Sequence, residues 1–84
     1  MARVNDPPAV ALAFGERVRA RRMKQGLSQI ELAHRAELHF TYVSSIERGE
    51  RNPTLTSVCK IAQGLHMDPS LLVKGLRVPT SQEP

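Results

Sequence analysis

Hydrophobic residues along this chain recur at intervals of three and four positions, which is the spacing of one face of an α-helix. The first apolar stripe consists of Val10, Phe14 and Val18. Asp6 followed by Pro7 is typical of a helix start, and Gly26 is typical of a helix stop. These signals predict a first helix that runs to about Gln25.

Two shorter stripes follow, separated by only a few residues. Their apolar members are Leu32, Ala33 and Ala36 in the first, Val43 and Ile46 in the second, and Leu38 at the corner between them. Ser28 and Glu31 form a capping-box pattern, which satisfies two backbone N–H groups at a helix start. Glu37 occupies the turn, where we expect a positive φ at a cost of about 1 kcal/mol. Residues 29–48 therefore predict a helix-turn-helix formed by helices 2 and 3.

Two further helices complete the predicted domain. Thr54 is expected to cap helix 4, and Asp68 with Pro69 is expected to open a short helix 5. The predicted apolar positions are Leu55, Val58, Ile61, Ala62 and Leu65 on the buried face of helix 4, and Leu71, Leu72 and Leu76 on helix 5. The pattern predicts an all-α fold, a compact five-helix domain over residues 7–76 between flexible tails at 1–6 and 77–84.

Length and composition narrow the functional classes. The 84 residues suffice for one small domain, and the single cysteine, Cys59, excludes an intrachain disulfide. No apolar run approaches the roughly 20 residues of a membrane span, so we expect a cytoplasmic protein without a membrane partner. Twelve Lys and Arg against eight Asp and Glu give a net charge of +4. This excess favours a nucleic-acid partner only because a helical DNA-reading motif accompanies it.

One charge on each of two helices continues an apolar stripe. Arg22 lies four residues beyond Val18, and Glu47 lies four residues beyond Val43. We predict that Arg22 and Glu47 pair across helices 1 and 3, because a charge at the edge of the core needs a partner. Two separately solvated surface charges are the alternative that the spacing leaves open.

The segment from Phe14 to Leu76 resembles the XRE family of bacterial regulators, which includes phage repressors and Cro-like proteins. The resemblance rests on the stretches RRMKQGLSQIELAHRA, TYVSSIERGERNPTL and KIAQGLHMDPSLL. It implies a lambda-repressor-like fold and a homodimer that binds double-stranded operator DNA, with helix 3 in the major groove. Within the family, the chain is most similar to the controller proteins of restriction-modification systems, which regulate their own promoter.

The resemblance also implies roles for individual residues. Phosphate contacts are expected from the start of helix 2 and the loop after helix 3, at Gln29, Arg48, Arg51 and Asn52. Arg17 on helix 1 and Tyr42 at the edge of helix 3 are further candidates for the DNA backbone. Arg22 and Glu47 match the family's ion pair between helices 1 and 3. Base readout is expected from the exposed face of helix 3, at His39, Phe40, Thr41, Ser44 and Ser45.

Phe40 is unusual among these residues, since many relatives carry Gln or Arg at its position. A phenyl ring offers only an apolar surface, which suits a thymine methyl group. The ring also lies along the same helical side as Val43 and Glu47. Burial of Phe40 against the domain therefore stays open as the alternative.

Helix 5 usually supplies the dimer contact in this family. We expect the interface at Leu71, Leu72, Leu76 and Val78. Two recognition helices would then face successive major grooves about 34 Å apart, on a pseudo-palindromic operator with half-sites roughly 10 base pairs apart. RNA polymerase is a further candidate partner, and neither a cofactor nor a metal is expected.

Other functional classes fit the sequence less well. An enzyme is disfavoured because His34, His39, His66 and Cys59 lack metal-ligand spacing and no Ser-His-acid cluster is evident. An antitoxin or another protein-interaction module would use the same fold, but only a short polar tail follows helix 5. A neighbouring toxin gene or restriction enzyme gene would discriminate between these roles. RNA binding is disfavoured because few exposed aromatic residues are available to stack on bases.

Overall fold

The computed structural model describes residues 8–79. This part of the chain contains no β-strand and five α-helices, α1 (Ala9–Lys24), α2 (Gln29–Ala36), α3 (Phe40–Glu47), α4 (Leu55–Gly64) and α5 (Ser70–Val73). The predicted all-α fold is confirmed. The predicted start of helix 1 at Asp6 and Pro7 lies outside the described residues, as do residues 1–6 and 80–84 of the predicted tails. Of the helices described, none is both long enough and apolar enough to cross a bilayer.

Local sequence signals set the ends of several helices. Ser28 Oγ accepts a hydrogen bond from the Glu31 N–H at 3.0 Å, and Glu31 Oε1 accepts one from the Ser28 N–H at 2.8 Å. These bonds form the predicted capping box and hold the pKa of Glu31 below its ordinary value. Thr54 Oγ1 accepts a hydrogen bond from the Ser57 N–H at 3.0 Å and so caps α4. Glu37 has a φ of 55°, which confirms the positive φ predicted for the turn.

The core receives large apolar side chains from every helix. The largest fully buried ones are Val18, Leu32, Val43, Ile46, Ile61, Leu65 and Leu72. The expectation that Leu55 belongs to the buried face of α4 is wrong, because Leu55 is 80% exposed. It is the first residue of α4, and the helix meets the core only from Ser57 and Val58 onward.

Helix α1 crosses the end of α3 at very short range. A Cβ atom on Gly15 would overlap the carbonyl oxygen of Ile46 and would lie 2.8 Å from the carbonyl oxygen of Glu47. Glycine is required here because it alone lets the two backbones approach so closely. This close contact with α1 therefore fixes the position of α3.

Helix α5 is a single turn that lies against the domain. Asp68 Oδ1 accepts a hydrogen bond from the Ser70 N–H at 2.8 Å, at the start of the turn. The expectation that Leu72 contacts a second copy is wrong, because its side chain is fully buried in its own domain. The neighbouring Leu71 is 49% exposed, whereas Leu76 packs, half-buried, against the core.

Candidate nucleic-acid interface

The outward side of α3 carries short polar side chains and one aromatic ring. Thr41 is exposed, Phe40 is 41% exposed, and Ser44 is half-buried beside them. His39 precedes the helix and is also exposed. Phe40 does not belong to the core, so the structure favours the surface position over burial. We call His39, Phe40, Thr41 and Ser44 the readout edge.

His39 has a local role that its sequence position did not reveal. Its Nδ1 accepts a hydrogen bond from the Thr41 N–H at 3.2 Å and lies 2.8 Å from Thr41 Oγ1. His39 is thus the N-cap of α3, a position that Ser, Thr, Asp or Asn usually takes. Because Nδ1 is an acceptor, the neutral ring carries its proton on Nε2 and presents a donor there. The contact also fixes the side chains of two residues of the readout edge relative to each other.

Ser45 does not belong to the readout edge. It is 6% exposed, and its Oγ donates a hydrogen bond to the Tyr42 carbonyl oxygen at 2.8 Å. The expected exposure of Ser45 is therefore wrong, because α3 is covered by both α1 and α2 and keeps only a narrow free side. A serine is tolerated in this buried place because its hydroxyl finds a partner one turn back. Tyr42 is half-buried and packs against the core.

A partly buried group of three polar side chains, Arg22, Gln29 and Glu47, joins the first three helices, and we call it the brace. Arg22 Nε donates to Glu47 Oε2 at 2.6 Å, and Arg22 Nη2 donates to Glu47 Oε1 at 3.0 Å. The predicted pair thus forms, with side-chain exposures of 12% for Arg22 and 2% for Glu47. Arg22 Nη1 also donates to the Leu27 carbonyl oxygen at 2.8 Å. The hydrogen bond to Glu47 is the main reason that the pKa of Arg22 is raised.

Gln29 is the third member of the brace. Its Nε2 donates to Glu47 Oε1 at 2.9 Å, from the first residue of α2. One amide hydrogen is thereby used inside the protein, and the second stays available to another acceptor. Gln29 is half-buried, so this amide lies at the boundary between the brace and the surface.

Cationic side chains lie close to the end of α3. Arg48 donates to both carboxylate oxygens of Glu50, from Nε at 2.9 Å and from Nη2 at 3.1 Å, and its Nη1 donates to Ser44 Oγ at 2.5 Å. The pair raises the pKa of Arg48 and lowers the pKa of Glu50, in each case chiefly through the hydrogen bonds between them. Arg51 and Asn52 follow in the exposed loop after α3.

The side chain of Arg17 is hydrogen-bonded to the end of α5. Its Nη1 donates to the carbonyl oxygens of Leu72, at 3.2 Å, and of Lys74, both at the end of α5. The expectation that Arg17 faces a DNA backbone is therefore wrong, because its guanidinium serves as a cap for α5. No sequence signal marks this contact, since it joins residues that lie far apart in the chain.

The surface around α3 is thus suited to contacts with hydrogen-bonding edges and with anions. The readout edge supplies hydroxyl groups, an imidazole donor and a ring, and the brace and the loop after α3 supply amide and guanidinium donors. Among residues 8–79, no group of three or more His, Cys, Asp or Glu side chains is arranged to hold a metal ion.

Comparisons with known proteins agree with this geometry. A family model described as helix-turn-helix matches residues 18–72. Control protein C.BamHI of Bacillus amyloliquefaciens is 43% identical over 65 residues, which cover 76% of this chain and 80% of that protein. The crystal structure of the restriction-modification controller protein C.AhdI from Aeromonas hydrophila superposes with a TM-score of 0.75 at 41% identity, over 76% of this chain and 97% of that chain.

A third comparison includes nucleic acid. The restriction-modification controller protein C.Esp1396I, in the structure of its tetramer in complex with its natural 35 base-pair operator, superposes with a TM-score of 0.74 at 29% identity. The match covers 81% of this chain and 90% of that chain. The chain therefore belongs to the helix-turn-helix family that includes the control proteins of restriction-modification systems.

Proposed function

We propose that this protein is a sequence-specific DNA-binding transcriptional regulator of the restriction-modification control type, acting as a homodimer on a pseudo-palindromic operator in the cytoplasm. The observation that carries the proposal is the readout edge, which is exposed on a helix that is itself held rigidly by the brace and by the crossing at Gly15. A rigid support is what base recognition needs, since hydrogen bonds to base edges tolerate little displacement.

Base contacts in this proposal come from the readout edge. Thr41 and Ser44 supply hydroxyl groups, His39 supplies the Nε2 donor, and Phe40 supplies a surface for a thymine methyl group. Ser45 is left out because it is buried. A set of side chains of this size is enough to read about three or four base pairs of a half-site.

Phosphate contacts in this proposal come from residues close to the end of α3. Gln29 lies at the start of α2, where free backbone N–H groups favour an anion. Arg48, Arg51 and Asn52 lie at the end of α3 and in the loop that follows. Tyr42 is half-buried, so only the exposed part of its side chain is available to a phosphate. These contacts orient the protein on the duplex without reading its sequence.

A dimer interface is proposed on the exposed apolar side chains around α5. Leu71 is 49% exposed, Val73 is 42% exposed and Val78 is 71% exposed, although each is apolar. Several exposed apolar side chains on one short segment of the chain are typical of an interface. Two copies joined there would present two readout edges to successive major grooves.

A gel-shift and footprint experiment tests the proposed function. The probes are the duplex immediately upstream of the protein's own gene and a scrambled duplex of equal length. We expect a protected pseudo-palindrome, bound at about 10⁻⁸ to 10⁻¹¹ M and at least ~10³-fold more tightly than the scrambled duplex. Equal binding to both duplexes would contradict the proposal.

Thr41→Ala and Arg51→Ala separate base readout from phosphate binding. We expect Thr41→Ala to weaken operator binding about tenfold with little change on scrambled DNA, because the variant has no hydroxyl group to bind a base edge. Arg51→Ala should weaken binding to both duplexes and reduce the slope of the salt dependence by roughly one unit, since one phosphate is no longer neutralised.

Filter binding at several salt concentrations measures both effects. Thr56→Ala, on the exposed side of α4, is the control. Parallel losses of affinity from Thr41→Ala on both duplexes would argue against its role in readout.

Leu71→Glu tests the proposed dimer interface. A charge at the centre of an apolar contact should weaken self-association at least about tenfold, since its desolvation is not compensated. Sedimentation equilibrium measures the change directly. Met23→Glu is a matched control, because Met23 is 58% exposed on α1 and belongs to no proposed interface. If the Leu71 variant self-associates as strongly as the wild type, Leu71 is not part of the dimer interface.

A further inference from the structure

Arg48, a proposed phosphate ligand, already holds an anion of its own chain. Its Nε and Nη2 atoms bind both oxygens of Glu50 at 2.9 Å and 3.1 Å, which is the side-by-side geometry of a bidentate pair. Its Nη1 is used by Ser44 Oγ. Three donors of the guanidinium are therefore occupied before any DNA arrives.

The backbone fixes Glu50 in this place. Gly49 has a φ of 76°, and the Glu50 N–H donates to the Ser45 carbonyl oxygen at 3.0 Å, so the chain folds back over the end of α3. The carboxylate is thus held within reach of Arg48 by the helix end itself. An anion tethered at such a short distance has a high effective concentration.

A phosphate needs the same donors that Glu50 occupies. Arginine binds phosphate best through two parallel N–H groups, and the Nε and Nη2 pair is one of its two such forks. Bidentate binding of a phosphate at the Nε and Nη2 fork therefore requires Arg48 to leave Glu50.

We propose that Glu50 is an internal competitor for the phosphate site at Arg48 and so lowers the affinity of this protein for any duplex. The inference rests on the proposed function, because it concerns the same DNA surface. Glu50 makes no contact with a base in this scheme, and its action is on Arg48 alone. The gain in affinity from removing it is therefore similar on operator DNA and on scrambled DNA.

Glu50→Gln is the direct test. The substitution keeps the shape of the side chain and removes its charge, so it frees Arg48 without disturbing a buried group, since Glu50 is exposed. We expect affinity to rise roughly three- to tenfold for both the footprinted operator and the scrambled duplex, with both protomers of a dimer contributing. Filter binding at constant ionic strength measures the change.

Two controls separate competition from a general effect of charge. Glu16→Gln removes the same charge from the exposed surface of α1 and should raise affinity less than about twofold. In an Arg48→Gln background, Glu50→Gln should no longer raise affinity, because there is no guanidinium left to release. A gain that persists in the Arg48→Gln background would overturn the inference in favour of simple charge repulsion.

The remaining outcomes separate this inference from the proposed function. If the wild type binds its operator selectively but Glu50→Gln binds equally or less well, Glu50 is not a competitor and the proposed function stands. If neither protein prefers the operator over the scrambled duplex, the proposed function fails and this inference fails with it.

Discussion

Gly15→Ala should lower the free energy of unfolding by about 3 kcal/mol, the upper range for overpacking of a core. An added methyl group would favour the helical conformation of α1 by roughly 1 kcal/mol, since glycine is a poor helix former. It would also collide with the carbonyl oxygens of Ile46 and Glu47, which are backbone atoms and cannot rotate away. We expect the collision to outweigh the helical gain, and urea denaturation followed by circular dichroism measures the difference.

Gly26→Ala is the control for Gly15→Ala. Gly26 has a φ of +71° and would place its Cβ in open space, so only backbone strain of about 1 kcal/mol is expected. The Gly15 variant should also bind operator DNA more weakly than its folded fraction predicts, because α3 must shift to accommodate the methyl group. A Gly15 variant as stable as the wild type would show that the two helices are free to separate.

Glu47→Gln should lower the free energy of unfolding by about 3 kcal/mol, because it leaves the largely buried charge of Arg22 without a counterion. The neutral amide retains the shape of the carboxylate, so packing alone cannot account for such a decrease. High salt should restore little of the lost stability, because dissolved counterions have little access to the largely buried charge of Arg22. Thermal melts at two salt concentrations measure both effects.

The double variant Arg22→Met with Glu47→Leu provides the contrast. Removing both charges together leaves no unpaired ion, and similar volume is kept, so most of the stability should return. Operator binding should stay impaired, because Gln29 then has no acceptor to position its amide. If Glu47→Gln melts at the same temperature as the wild type, water solvates the charge of Arg22 in the variant and the prediction is contradicted.

Features that depend on neighbouring residues can be predicted from the sequence. The capping box of Ser28 and Glu31, the cap at Thr54 and the positive φ of Glu37 follow from short-range rules, and all three occur. The pair of Arg22 and Glu47 is also predictable, because each residue continues an apolar stripe by one helical turn.

Features that depend on distant parts of the chain cannot be predicted in the same way. Helical periodicity does not tell which side of a short helix is covered when two other helices pack on it, and so it assigns Ser45 to the wrong side. A helix of one turn is too short to show a hydrophobic period. The sequence pattern therefore does not show which of the adjacent Leu71 and Leu72 is buried. A long flexible side chain such as Arg17 reaches carbonyl groups that no local pattern marks.

Helix α1 carries two anchors on different sides, Arg17 for α5 and Arg22 for α3. They lie five positions apart, which amounts to a rise of roughly 7.5 Å and a rotation of about 140° beyond one full revolution. In the proposed dimer this register dictates how far apart, and at what angle, the two protomers engage their half-sites. Inserting or deleting one residue between the anchors would turn Arg17 and Gly15 by about 100° relative to Arg22, so α3 and α5 could no longer both keep their contacts with α1.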